Sequence, residues 1–176
     1  MRVVAGRFGG RRLVTPPGRD TRPTSDRVRE ALFSILGPLD GEAVLDLYAG
    51  SGALGIEALS RGAGAAVFVE RDRRAAKAIL TNLEALGAAA DVRCLDVMAA
   101  LRDARTRGET YSLVLCDPPY RLAPELGETL SEALAPVLAT GARVVTESDR
   151  RRPLDLHLPL PDERRYGDTL IRIHEP

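Results

Sequence analysis

From residue 43 onward, short apolar runs alternate with stretches of helical periodicity, and this alternation restricts the fold more than any other feature. Ala43–Tyr48, Ala66–Glu70, Asp91–Leu95, Tyr111–Cys116 and Ala142–Thr146 read as strands. The stretches 53–61, 73–86, 97–107 and 125–138 read as helices. Strands that are apolar throughout, rather than alternately polar, are covered on both faces. That means a parallel sheet with helices on each side. Leu154–Leu158 and Thr169–His174 supply two last strands around a turn near Gly167. The fold class expected is α/β: a doubly wound, mostly parallel sheet.

The first 42 residues read differently. Residues 2–4 and 11–14 are short β-like runs separated by Gly6, Gly9 and Gly10, the pattern of a small hairpin. A Pro/Gly/Arg linker follows, and Thr24 or Ser25 caps a helix running to Leu36. Val28, Leu32, Ile35 and Leu36 are expected on its buried face, and Gly37-Pro38 stops it. The chain divides into a basic hairpin arm and linker, 1–22, and a main domain, 23–176.

Charge sharpens that division. Residues 1–30 carry eight arginines and three acids, a balance of +5, and the remainder carries seventeen basic residues and twenty-two acids, a balance of −5. Arg2, Arg7, Arg11, Arg12, Arg19 and Arg22 lie on the arm and linker, where they would neutralise the phosphates of a nucleic acid. Arg150–Arg152 is a weaker second cluster. A general Arg-for-Lys bias explains the abundance of arginine but not its clustering. No apolar run approaches the length of a membrane helix, and the N-terminus lacks the apolar core of a secretory signal, so a cytoplasmic protein is expected. Cys94 and Cys116 stand apart in apolar runs and read as buried, reduced thiols. With two histidines far from both, no metal site is expected.

Two loops carry the chemistry. After the first strand, Gly50, Gly52 and Gly55 match G-x-G-x-x-G, and Glu70 ends the second strand twenty residues after Gly50, placed for the hydroxyls of a ribose. Asp46 selects among nucleoside ligands. Its carboxylate would repel a dinucleotide's diphosphate, whereas it would favour the cationic methionine moiety of S-adenosylmethionine. The competing role is to tie down loop amides. Asp96, after the third strand, is placed both to accept from an adenine amino group and to cap the next helix.

After the fourth strand comes Asp117-Pro118-Pro119-Tyr120. In a doubly wound sheet this turn opens beside the glycine loop, at the point where the strand order reverses. The two prolines make a stiff turn rich in carbonyls. The Asp117 carboxylate and the Pro118 carbonyl can both accept from an exocyclic amine. They would thereby favour the pyramidal, positively charged nitrogen that forms on methylation. Tyr120 offers a ring for a flipped base to stack on. Cys116 points to the opposite face and no Pro-Cys pair occurs, which removes a cytosine-C5 mechanism.

These residues resemble a known family. Asp46–Gly52, including Tyr48, together with Glu70, Asp96 and Asp117–Tyr120, look like the motifs of class I S-adenosylmethionine-dependent amino-methyltransferases. Arg2–Leu13, Arg22–Leu36 and Tyr166–Leu170 resemble the narrower RsmD family of bacterial 16S rRNA guanine-N2 methyltransferases, acting on guanine 966. The resemblance implies a Rossmann-like seven-stranded sheet with its last strand antiparallel. It also implies S-adenosylmethionine as cofactor and 16S rRNA in the small (30S) ribosomal subunit as partner; a monomer is expected. Alternatives from the residues themselves are a DNA amino-methyltransferase, a non-catalytic nucleotide- or RNA-binding module, and a small NAD-dependent oxidoreductase. Since the sheet and both loops begin after residue 42, removing residues 1–20 is expected to leave a folded, cofactor-binding body.

Overall fold

The computed structural model describes residues 1–16 and 25–176. Helix α1 spans Asp26–Leu36. Strand β1 (Ala43–Leu47) leads into α2 (Ala53–Ser60), and β2 (Ala65–Val69) into α3 (Arg73–Leu86). Strand β3 (Asp91–Arg93) precedes α4 (Val97–Thr106), and β4 (Tyr111–Cys116) precedes α5 (Ala123–Leu134). Strand β5 (Leu138–Asp149), β6 (Asp162–Tyr166) and β7 (Thr169–His174) complete the chain.

The seven strands form one sheet in the order β3-β2-β1-β4-β5-β7-β6. β3 to β5 are mutually parallel, while β7 runs antiparallel to both β5 and β6. The order reverses between β1 and β4, which are hydrogen-bonded neighbours. The ends of β1 and β4, with their two loops, therefore lie side by side. Alternation along the strands feeds two cores. Val44, Leu113, Leu115 and Val145 pack toward α1, α2 and α3, whereas Leu45, Val114, Cys116 and Val144 pack toward α4 and α5.

Several expectations are corrected. Leu154–Leu158 is not a strand. Leu154 and Leu156 are buried and Leu158 is half-buried, but the backbone runs beside α5, where the His157 amide donates to Ser131 Oγ and the Asp155 carbonyl crowds Gly127. The sixth strand is instead the charged Asp162–Tyr166. As a sheet edge it needs only a hydrogen-bonding neighbour, and Glu163 pairs with Arg165 and with Arg172 of β7. On α1, Ile35 is exposed, and Phe33 and Arg29 are buried in its place. Cys94 is exposed, while Cys116 is buried as expected. Ser25 is the N-cap of α1, accepting from the Val28 amide.

The arm is a single antiparallel bridge, Arg2 with Arg12, around a 3-10 turn at Gly6–Phe8, rather than two full strands. It is also not an appendage. Val3 and Leu13 are buried in the core of the main body. The Val4 and Ala5 amides donate to the fully buried Glu57 carboxylate of α2, at 2.7 and 3.0 Å. Asn82 of α3 binds both the amide and the carbonyl of Val14.

Candidate active site

The glycine loop is built from tight backbone contacts. Glu70 braces it: one carboxylate oxygen accepts the Gly50 amide at 2.9 Å and the other accepts the Asp72 amide at 2.8 Å, tying the loop to the start of α3. Asp46 is almost fully buried and accepts the Gly55 amide at 2.9 Å. The loop-tying role proposed for Asp46 is thus observed, and its carboxylate also faces the cavity. Gly52 takes φ +78° at the start of α2. Gly55 lets α2 lie on β2, since a Cβ there would stand 2.4 Å from the Phe68 ring and 3.0 Å from Asp46 Oδ2. Tyr48 has φ +58°, the only non-glycine residue in the left-handed region among the described residues, and that strained turn sits in the cavity wall.

The cavity encloses about 420 Å³ between the two loops. Its wall includes Asp46, Tyr48, Gly50, Glu70, Leu95, Asp96, Asp117, Pro118 and Tyr120, so it gathers nearly every expected cofactor and catalytic residue. Gly52 lies just behind it, at the α2 cap. Asp96 caps α4 through the Met98 amide while remaining exposed to the cavity, so both of its expected roles are available at once.

Asp117 follows the last residue of β4. Burial, then the charges of Glu147 and Asp46, hold its carboxyl well above the usual carboxylate range. Burial raises Asp46 to about 7, offset in part by the Gly55 amide, with Glu70 adding to the rise. Asp46 and Asp117, from adjacent strands, therefore face one cavity, and their mutual repulsion there favours a bound positive charge. Thr169 hydrogen-bonds the Tyr120 side chain, which explains part of the Tyr166–Leu170 motif. Asp168 of the same motif pairs with Arg150 and Arg151, so this second basic cluster fastens the β6–β7 turn.

Sequence reasoning missed Glu147. It lies in β5, a strand read as ending at Thr146, and is buried at 3% exposure. A polar Glu-Ser-Asp tail after an apolar run gives no signal that the strand continues. Among the arm residues, Arg2, Arg7, Arg11 and Arg12 are exposed. Arg2 pairs with Asp26, and Arg11 donates to the Ala85 carbonyl. Arg19 and Arg22 lie outside the described residues. Among the described residues there is no His/Cys/Asp/Glu group able to hold a metal ion, and no helix long and apolar enough to cross a membrane.

The profile of the family described as "Conserved hypothetical protein 95" matches residues 1–175. The chain belongs to this family. It is the RsmD type of S-adenosylmethionine-dependent methyltransferase. Ribosomal RNA small subunit methyltransferase D of Escherichia coli strain K12 is 42% identical over 122 residues, covering 69% of this chain and 61% of that protein. The protein of the same description from Haemophilus influenzae is 33% identical over 160 residues, covering 88% of this chain and 81% of its own length. A solved structure of a hypothetical protein from Thermus thermophilus superposes with a TM-score of 0.85 at 32% identity, covering 100% of this chain and 99% of that one. The fold is that of the class I methyltransferases, with a mixed sheet ending in an antiparallel hairpin.

The cavity fits the family's cofactor. Asp46 could hold a cationic methionine moiety, Glu70 and the glycine loop could hold a ribose, and Asp96 could hold an adenine amine beside the apolar Leu95. A dinucleotide would set its diphosphate against Asp46, Glu70 and Asp117, with Arg71 and Arg121 the only cations in the wall among the described residues.

Proposed function

We propose that this chain transfers the methyl group of S-adenosylmethionine to the exocyclic N2 amine of a guanine in small-subunit rRNA. The observation that carries this reading is the placement of Asp117-Pro118-Pro119-Tyr120 against the glycine loop in one cavity. The sulfonium supplies an electrophilic methyl group. The chain's own residues prepare the amine for it. Asp117 and the Pro118 carbonyl accept the amine hydrogens and turn the nitrogen lone pair away from the ring. Their fixed acceptors also stabilise the positive charge that grows on nitrogen. Tyr120, held by Thr169, gives the flipped base a face to stack on. The proton lost from nitrogen has an acceptor in Asp117, whose raised affinity for protons suits it to that task.

The arm's exposed arginines bring the RNA to the cavity, and the protein acts on the 30S particle in the cytoplasm as a monomer. The relatives' names, the +5 charge of residues 1–30 and the acceptor-rich turn support this reading. Nucleoside mass spectrometry of 16S rRNA from cells with and without the gene tests it. N2-methylguanine should be lost from one position without the gene. Loss of N6-methyladenine or N4-methylcytosine from DNA instead would reassign the substrate.

A further inference from the structure

Asp117 has a neighbour of the same chemistry that no motif identifies. Cys116 of β4 is in register with Thr146 of β5, so Asp117 and Glu147 are the next pair along two parallel strands. Leu115 and Val145, two residues earlier, both pack toward α1 and α2, so alternation turns Asp117 and Glu147 to that same face. Adjacent strands lie roughly 4.8 Å apart. Glu147 is in electrostatic contact with Asp117 and with Tyr120, both of which line the cavity.

Glu147 also has a cation behind it. Arg29 of α1 is fully buried, donating to the Arg2 carbonyl and to Asp26 at 2.7 Å. Its Nε and Nη1 make no hydrogen bond among the described residues, and its charge is felt by Glu57 and Glu147. A buried guanidinium with two unused donors is costly. Its place here sets a fixed positive charge behind the carboxylate of β5.

We infer that Glu147 is a specificity-determining residue that accepts the N1–H of the target guanine while Asp117 accepts from its N2 amine. This rests on the reading of the cavity as a guanine-N2 methylation site. Guanine presents N1–H and N2–H₂ as adjacent donors on one edge, and two carboxylates side by side are its complement. Adenine presents a lone pair at N1, which a carboxylate repels. Selection against adenine thus comes from a repulsive element as well as an attractive one. An acidic first residue in the tetrapeptide does not choose between the two bases, and the residue beside it on the next strand does.

The test replaces the target guanine by 2-aminopurine, which keeps the N2 amine but carries a lone pair at N1. Small-subunit particles rebuilt with either base at the target position are methylated by wild type, Glu147→Gln and Asp117→Ala. S-adenosylhomocysteine affinity reports that each variant is folded. Wild type should prefer guanine by at least about tenfold, the scale of one unsatisfied buried polar group. Glu147→Gln, whose amide can donate to N1, should lose most of that preference by losing guanine activity and keeping or gaining 2-aminopurine activity. Equal loss on both templates, or a wild type indifferent to the replacement, overturns the inference alone. A wild type that methylates neither template, or a fully active Asp117→Ala, overturns the underlying reading and this inference with it.

Discussion

Asp117 and Glu70 both line the cavity, but they predict opposite defects. Asp117→Ala should reduce transfer by on the order of 10²-fold or more while cofactor affinity stays nearly unchanged, because the proposed function assigns its acceptor to the target amine. Single-turnover rates and S-adenosylhomocysteine titration separate the two quantities. Glu70→Ala should chiefly weaken cofactor binding. The structure adds a second reason beyond the missing ribose hydrogen bonds: the Gly50 and Asp72 amides lose their acceptor, so the loop loses its brace. Asp46 predicts a pH dependence. Its ordinary value of 3.8 is raised to about 7, so the folded state holds the proton more tightly than the unfolded one. The ligand-free protein should therefore lose stability as pH rises from about 4 to about 7, by up to about 4 kcal/mol from this group. Binding a cation needs the ionised form, so S-adenosylmethionine affinity should rise about tenfold from pH 6 to pH 8. Thermal melts and titrations of wild type against Asp46→Asn test both, and the asparagine should flatten both slopes. The placing of Asp46, Glu70 and Asp117 in the cavity wall was legible because each interrupts or ends an apolar run beside a loop of fixed motif. Glu57 and Glu147 were not. Their roles depend on what lies across the sheet, the arm amides for one and Asp117 for the other, and sequence spacing says nothing about either.

At the scale of elements, strands β1 to β4 and the helices between them were legible because local pattern and tertiary burial agree. β1 ends one residue earlier than its apolar run, and α5 begins two residues before its periodic stretch. The C-terminal hairpin was half legible. Leu154 and Leu156 alternate like a strand, yet their burial comes from covering α5. The true edge strand, Asp162–Tyr166, has too little apolar surface to reveal it: four charged residues in ion pairs precede Tyr166, the one side chain of the strand packed against the core. Likewise α1 buries Arg29, which any hydrophobic pattern assigns to solvent, and exposes Ile35. The α2–β2 packing carries its own prediction. A methyl group at Gly55 would overlap the Phe68 ring and press on Asp46 Oδ2, in a place where both neighbours are fully packed. Gly55→Ala should cost about 1–3 kcal/mol, the range of an overpacked core. It should also weaken cofactor binding by displacing the Asp46 carboxylate. A melt with unchanged midpoint, together with unchanged S-adenosylhomocysteine affinity, would mean that α2 can slide off β2 freely.

For the whole molecule, the question is what the arm does, and here the structure runs against the expectation, drawn from where the sheet and loops begin, that the body folds without it. Residues 1–16 supply Val3 and Leu13 to the core and two amide donors to Glu57, a carboxylate with no exposure to water. Through Asn82 they also reach the cofactor loop, because the same side chain that binds Val14 donates to the Ser51 carbonyl at 3.0 Å. Removing residues 1–20 would open the core and leave Glu57 with Arg61 as its one remaining side-chain partner among the described residues. The truncated chain should therefore melt at lower temperature and bind S-adenosylmethionine more weakly, and its failure to methylate RNA would say nothing about RNA docking. Point substitutions ask the question cleanly. Arg7 and Arg12 are exposed, and neither forms an ion pair among the described residues. Arg7 stacks over Phe8, an exposed cation–π pair whose removal by glutamine costs little. The Arg7→Gln/Arg12→Gln double variant should keep the wild-type melting temperature and cofactor affinity while binding small-subunit rRNA more weakly. Each phosphate left unneutralised lowers the slope of log affinity against log salt by about 0.7–0.9, so removing two arginines should reduce it by about 1.4–1.8. If affinity and slope both stay at wild-type values, these two arginines do not touch phosphate. The arm would then serve as a structural strap between the core and the cofactor loop, and the RNA would have to meet the protein on another face.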